Sequence, residues 1–213
     1  MVYFDKTASA PISLKNQVAY NGQDVLDLLY SDFKNKCYIC ESKGIESINI
    51  EHFAPHKDSN NIRKYNWSNL FWACSHCNKI KSAKEPLLNS TCKYDCVDIN
   101  IKYSVNNDLL KNKIMIESIV NDIVTIKTVE LLNDVYNGTT NQNKFQAREK
   151  RNKLYDELCD FTALTSKYQL TEDERKKEQL FKIIKYELSN ESAFTAFKRW
   201  IIKDSEYLKE NFK

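Results

Sequence analysis

Cys37-Tyr38-Ile39-Cys40, Ile50-Glu51-His52-Phe53-Ala54-Pro55, Trp67-Ser68-Asn69-Leu70 and Cys74-Ser75-His76-Cys77-Asn78 follow one another within one short span of the chain. Each CxxC pair offers two thiolates from a tight turn, and two such turns facing each other complete the tetrahedral sulfur cage that zinc prefers. A redox-active CxxC needs only one pair, so the alternative of four buried or redox-active cysteines is the poorer reading. Four protein thiolates leave no position open for water, which makes Cys37, Cys40, Cys74 and Cys77 a structural zinc site. A unit of two strands and a helix buries too little apolar surface to fold unaided, so the metal is expected to supply much of its folding free energy.

The region between Cys37 and Lys84 also holds all three histidines and two of the three tryptophans, and the chemistry is expected there. Elsewhere the composition is that of an ordinary globular chain, with 42% hydrophobic, 12% aromatic and 29% charged residues among 213. That length suits a small catalytic module with a larger helical companion, and we divide it into residues 1–100 and 101–213. A net charge of +3 permits nucleic-acid binding without arguing for it. The sequence contains neither a charged start leading into an apolar run nor a stretch of about 18 apolar residues, so a cytoplasmic protein with no membrane association is expected.

Glycine and proline number three each, so elements are delimited by caps and polar turns. Val25, Leu28, Leu29 and Phe33 sit at helical spacing ahead of the first cysteine pair. Residues 114–126 are rich in Ile and Val around Asn121-Asp122, and the pattern fits either two strands with a turn or the edge of a helix. The last third reads as helices. One covers 143–161 with Leu154, Leu158 and Phe161 inward; its other face carries Arg148, Lys150, Arg151 and Lys153, while Lys198 and Arg199 form a further basic cluster. A second begins at a capping-box pattern, Thr171 with Glu174, and buries Leu180, Phe181, Ile184 and Leu188. A third runs over 192–208 with Phe194, Phe197 and Ile201 in one stripe beside Trp200. Cys92, Cys96 and Cys159 are read as structural or incidental, Cys159 on an apolar helix face.

The order of Glu51-His52, Asn69 and Asn78 between and after the cysteine pairs resembles the HNH endonuclease family. The resemblance implies an α+β fold: a zinc-stapled ββα-metal core flanked by helices, with a mainly helical C-terminal portion. It implies that His52 is the general base that deprotonates water, that Glu51 and Asn78 ligate a divalent cation, and that Asn69 holds the loop and orients the imidazole. Asn78 stands where many members have His, and an amide oxygen is a harder donor that favours Mg2+ or Mn2+. The residue types suit this chemistry on their own terms, since imidazole accepts protons near neutrality and one cation can polarise a phosphate. The remaining histidines, His56 and His76, lack an evident shared face, so a second, catalytic zinc is not expected. Each is more simply a polar loop residue.

Lys79, Lys81 and Lys84 follow Asn78 on the expected site helix, where they could meet phosphates; a solvated face explains them nearly as well. Trp67 and Trp72 are read as packing residues before base-stacking ones. Ile50-Glu51-His52-Phe53 with Pro55, Trp67-Ser68-Asn69-Leu70, Thr128-Val129-Glu130-Leu131-Leu132-Asn133, Tyr136-Asn137-Gly138-Thr139 and Ala196-Phe197-Lys198-Arg199-Trp200 further resemble the PtuB-type HNH proteins of Septu and retron-associated anti-phage systems. That likeness implies a nuclease effector working with a PtuA-like ATPase, docked through the helical portion, with DNA the favoured substrate and tRNA or other RNA the runner-up. A zinc-supported adaptor that binds without cutting is the reading of a different class.

Overall fold

The computed structural model describes residues 1–45, 47–56, 61–105 and 113–212. Its elements run α1 (Ile12–Lys15), α2 (Gln23–Asp32), β1 (Ile48–His52), α3 (Asn61–Lys64), β2 (Leu70–Cys74), α4 (Ser75–Lys81), α5 (Val97–Asn100), β3 (Ile101–Val105), β4 (Ile114–Ser118), α6 (Ile123–Asn137), α7 (Asn141–Leu170), α8 (Glu174–Glu187), α9 (Thr195–Asp204) and α10 (Glu206–Asn211). This is the expected α+β class with helices dominating the C-terminal half. Among the described residues no helix is long and apolar enough to cross a membrane.

β1 and β2 pair antiparallel with Ile48 opposite Cys74, Ile50 opposite Trp72 and His52 opposite Leu70. The β2 sequence Leu-Phe-Trp-Ala-Cys is buried at every position, because α2 covers one side and α4 lies across the other. Phe71 anchors an aromatic cluster with Phe33, Tyr38 and Phe53 at centroid distances of 5.5, 4.8 and 5.1 Å. The chain passes from β2 directly into α4, where Cys74 is the N-cap residue and its sulfur accepts from Cys77 N at 3.5 Å. One cysteine thus ends the strand, starts the helix and faces the metal site. Trp67 and Trp72 are both buried, with Trp67 Nε1 donating to Thr7 O at 2.6 Å, as packing residues would be.

Residues 114–126 form neither of the two alternatives read from the sequence. Ile114–Ser118 is a strand, but its partner is the earlier β3, with Tyr103 opposite Ile116. Asp122 then caps a helix, accepting from Val124 N and Thr125 N at 3.0 and 2.9 Å. The pattern of 114–126 could not decide this, because β4 owes its state to pairing with a strand outside that window. Asn133 and Asn137 on α6 tie the helix to that strand, donating to Ile116 O and Ile114 O at 2.9 and 3.0 Å. Gly138 joins α6 to α7 at φ 70°, where a Cβ would lie 2.6 Å from Lys144 N, so only glycine fits.

The helical portion shares its interior with the zinc region. A single apolar cluster includes Val2, Leu29, Tyr38, Phe71, Ile101, Ile116, Leu132, Tyr136, Leu154 and Phe197. Phe194 and Phe197 are therefore core residues, and Phe197 packs edge-on against Tyr103 and Tyr136 at 4.8 and 5.4 Å. A smaller cluster gathers Phe161, Tyr168, Leu180, Ile184, Ile202, Leu208 and Phe212. Three sequence expectations need correction. Cys159 is exposed. The expected helix over 192–208 is two helices, broken at Ser205, whose side chain accepts from Leu208 N at 3.4 Å. The Thr171 capping box does not form: Thr171 Oγ1 donates back to Lys167 O at 2.6 Å, while Asp173 caps α8, accepting from Arg175 N and Lys176 N at 3.0 and 3.2 Å. Asp173→Ala should therefore lower stability by about 1 kcal/mol, the usual worth of an N-cap, with Thr171→Ala costing less. Paired thermal melts check this, and equal losses would contradict the assignment.

Candidate active site and zinc centre

The sulfur atoms of Cys37, Cys40, Cys74 and Cys77 lie within 4.8 Å of one another, and all four residues are buried. Zn–S bonds of about 2.3 Å place sulfurs about 3.8 Å apart on a tetrahedron. The Cys40–Cys74 separation of 3.9 Å matches that spacing and is far too long for a disulfide. The quartet fits a structural zinc ion. Burial pushes the thiols of Cys37 and Cys77 well up, so a cation is needed to keep them ionised.

The surroundings of this centre come largely from outside the cysteine segment. Tyr136 Oη donates to Cys40 O at 2.7 Å. Lys150, read from the sequence as part of a basic helix face, reaches Ser42 Oγ at 3.3 Å. Burial works against its ammonium, but the charge of Cys40, Cys77, Cys74 and Cys37 outweighs it and raises the Lys150 pKa. A fixed cation thus stands beside a centre that carries net negative charge once zinc is bound. His76 also has a specific role: Nε2 lies 2.9 Å from Val135 O and must donate, and Nδ1 lies 3.0 Å from Gln146 Oε1. The ring bridges the second knuckle to α6 and α7. Residue type and spacing carry no signal for any of these contacts.

At the other end of β1, His52 Nε2 lies 3.1 Å from Lys64 O. A carbonyl only accepts, so Nε2 carries the proton and Nδ1 of the neutral ring keeps its lone pair. Burial lowers the His52 pKa, and the bond to Lys64 O opposes this only in part, so the ring favours its neutral, proton-accepting form. Tyr20 packs 5.1 Å from the imidazole on one side and His56 4.2 Å away on another. His56 comes beside His52 because the turn after β1 folds back on the strand end. His56 Nδ1 is buried without a hydrogen-bond partner among the described residues. Tyr20 has no motif to announce it.

Asn69 is buried and closes the loop between β1 and α3. Its Oδ1 accepts from Ala54 N at 2.7 Å, and its Nδ2 donates to Ala54 O and Arg63 O, both at 3.0 Å. Its own carbonyl accepts from Phe53 N at 2.9 Å. Since Arg63 precedes the residue whose carbonyl holds His52, Asn69 fixes the imidazole at second hand.

Glu51 and His52 are neighbours on a strand, and their side chains find different partners, as the alternation of a strand requires. Glu51 is 6% exposed and points to α4, where its Oε1 lies 2.7 Å from Lys81 Nζ. Burial raises the Glu51 pKa and Lys81 offsets part of that rise. Asn78 is half-buried one turn before Lys81, and its side-chain amide has no hydrogen-bond partner among the described residues. The structure therefore joins Glu51 to Lys81 and Asn69 to the His52 loop, but forms no hydrogen bond between His52 and Glu51, Asn69 or Asn78. Of the three candidate phosphate-binding lysines, Lys81 is wholly buried on Glu51, and Lys84 pairs with Asp134 at 2.6 Å. Lys79 is exposed and donates to Gln142 Oε1 at 2.9 Å.

Residues 37–84 match the family model of the HNH endonuclease. The likeness is confined to that segment, and it associates the site with nuclease-type chemistry and nucleic-acid binding. No curated protein and no solved structure shows a significant match to the chain.

Two outcomes test this description. Purified protein should hold one zinc per chain by elemental analysis, and chelation should unfold it by circular dichroism, because zinc binding of about 10 kcal/mol or more rivals the stability of a whole domain. A fully folded, metal-free protein would refute the structural role. Asn69→Ala should cost roughly 2–3 kcal/mol in denaturant unfolding, since it orphans buried groups of the loop.

Proposed function

We propose that the protein is an endonuclease that hydrolyses phosphodiester bonds, with His52 as the general base. The observation that carries this is the Nε2 bond of His52 to Lys64 O, which leaves Nδ1 as a proton acceptor inside a segment matching the HNH family. Nδ1 takes a proton from water, and the resulting hydroxide attacks phosphorus. Asn69 keeps the carbonyl partner of His52 in place, and Tyr20 restricts the ring from the side.

Glu51 and Asn78 would hold the divalent cation, Mg2+ or Mn2+, that such a site uses. Their donor types fit, because carboxylate and amide oxygens are hard ligands. When bound, that cation supplies neutralisation of charge at the phosphate and the departing oxygen. Lys79, on the exposed side of α4, is the remaining candidate for a backbone phosphate contact.

DNA is the favoured substrate, with RNA second. The strings shared with PtuB-type proteins support an anti-phage effector acting in the cytoplasm with a PtuA-like ATPase. Docking of such a partner falls to surfaces other than the Phe194 and Phe197 stripe, which is buried. Recovery of an ATPase, encoded by the neighbouring gene, on co-purification supports that assignment.

His52→Ala should lower cleavage of plasmid or RNA by 100-fold or more, the usual weight of a general base, without loss of zinc or of the thermal transition. Unchanged cleavage would remove His52 from the reaction and return the protein to the adaptor reading.

A further inference from the structure

The buried contact between Glu51 and Lys81 has a consequence for cation binding. Lys81 Nζ lies 2.7 Å from Glu51 Oε1, with side chains 0% and 7% exposed for Lys81 and Glu51. The ammonium also donates to His52 O at 3.2 Å and to Ser82 O at 3.5 Å, and it lies 5.8 Å from the centre of the Phe53 ring. A fully desolvated ammonium is tolerated only when paired, and among the described residues its one anionic partner is Glu51. Among the described residues the cysteine quartet is the only group of three or more His, Cys, Asp or Glu side chains placed to hold an ion. Glu51 belongs to no such group among those residues.

One carboxylate cannot neutralise both an ammonium and a divalent cation. With Lys81 in place, a divalent ion at Glu51 would meet an unscreened like charge in a low-dielectric pocket. The arrangement differs from an acidic metal cage, where spare negative charge draws the ion in.

We propose that Lys81 is the resident counter-ion of Glu51 and competes with the divalent cation for its carboxylate, so that the cation loads only as the ammonium is displaced. The inference rests on the reading of Glu51 and Asn78 as the cation's ligands, and it adds a device that holds the site closed to free metal. Lys81 thereby acts on metal affinity and not on the reacting atoms.

The test is Mn2+ binding to the zinc-loaded full chain, followed by the electron paramagnetic resonance signal of free Mn2+. Wild type, Lys81→Met, Glu51→Gln and the double variant are compared. Lys81→Met should bind Mn2+ at least tenfold more tightly than wild type, and the gain should vanish when Glu51→Gln is added. Equal or weaker binding by folded Lys81→Met overturns the proposal, as does a gain that survives loss of the carboxylate. Lys81→Gln, which keeps an N–H donor while removing the charge, serves the same comparison if Lys81→Met does not fold. Should both variants unfold because Glu51 is left buried alone, refolding by added Mn2+ supports the proposal and failure to refold at any Mn2+ concentration overturns it. The readout needs no cleavage: unchanged affinity in a protein that cuts through His52 defeats the competition alone, and tighter binding in a protein whose cleavage ignores His52 defeats the nuclease mechanism alone.

Discussion

Four buried sulfurs brought within 4.8 Å of one another are the constraint around which this fold is arranged. Close-packed thiols in an apolar interior resist ionisation, and close-packed thiolates repel, so a bound cation is what makes the arrangement stable. Cys74 shows how the constraint spreads: the same residue closes β2, caps α4 and contributes a ligand. The hairpin and α4 are thereby tied to one centre, and β1 carries the imidazole at its far end.

The helical half is a brace for that centre as much as an appended layer. α6 reaches the first knuckle through Tyr136 and the second through Val135, which accepts from His76. α7 supplies Lys150 as a nearby positive charge and Gln146 as the other partner of His76. Arg151, from the same helix, donates to Tyr136 O and links the two braces. A basic face that looks like an open phosphate track in one dimension is, in this packing, partly spent on holding the zinc region.

Charge is similarly economised around β1. The strand sends Glu51 towards α4 and leaves His52 at the loop side, so the carboxylate and the imidazole are tuned by separate surroundings. Burial raises one pKa and lowers the other, and both shifts favour the neutral form. Lys81 offsets the first and the Lys64 carbonyl the second. The site is thus poised, with an imidazole ready to accept a proton and a carboxylate already holding a positive charge.

Much of this was legible from residues alone. The paired CxxC spacing pointed to the four-sulfur cluster, because two pairs of thiolates on tight turns have few other uses, and helical periodicity located the buried faces of α2, α7 and α8. Other features depend on how the backbone is assembled, which residue pattern alone does not register. The strand state of 114–118 comes from pairing with 101–105, the cap of α8 passed from Thr171 to Asp173 by a shift of two residues, and His56 met His52 only because the turn folds back. Lys81 is the sharpest case: its position in a run of lysines reads as surface, and only the packing of α4 across β1 turns it inward to the one buried carboxylate it can neutralise. Sequence determined which groups are present and how the metal is caged; tertiary structure decided which charges face each other, since burial and pairing are properties of the assembled interior.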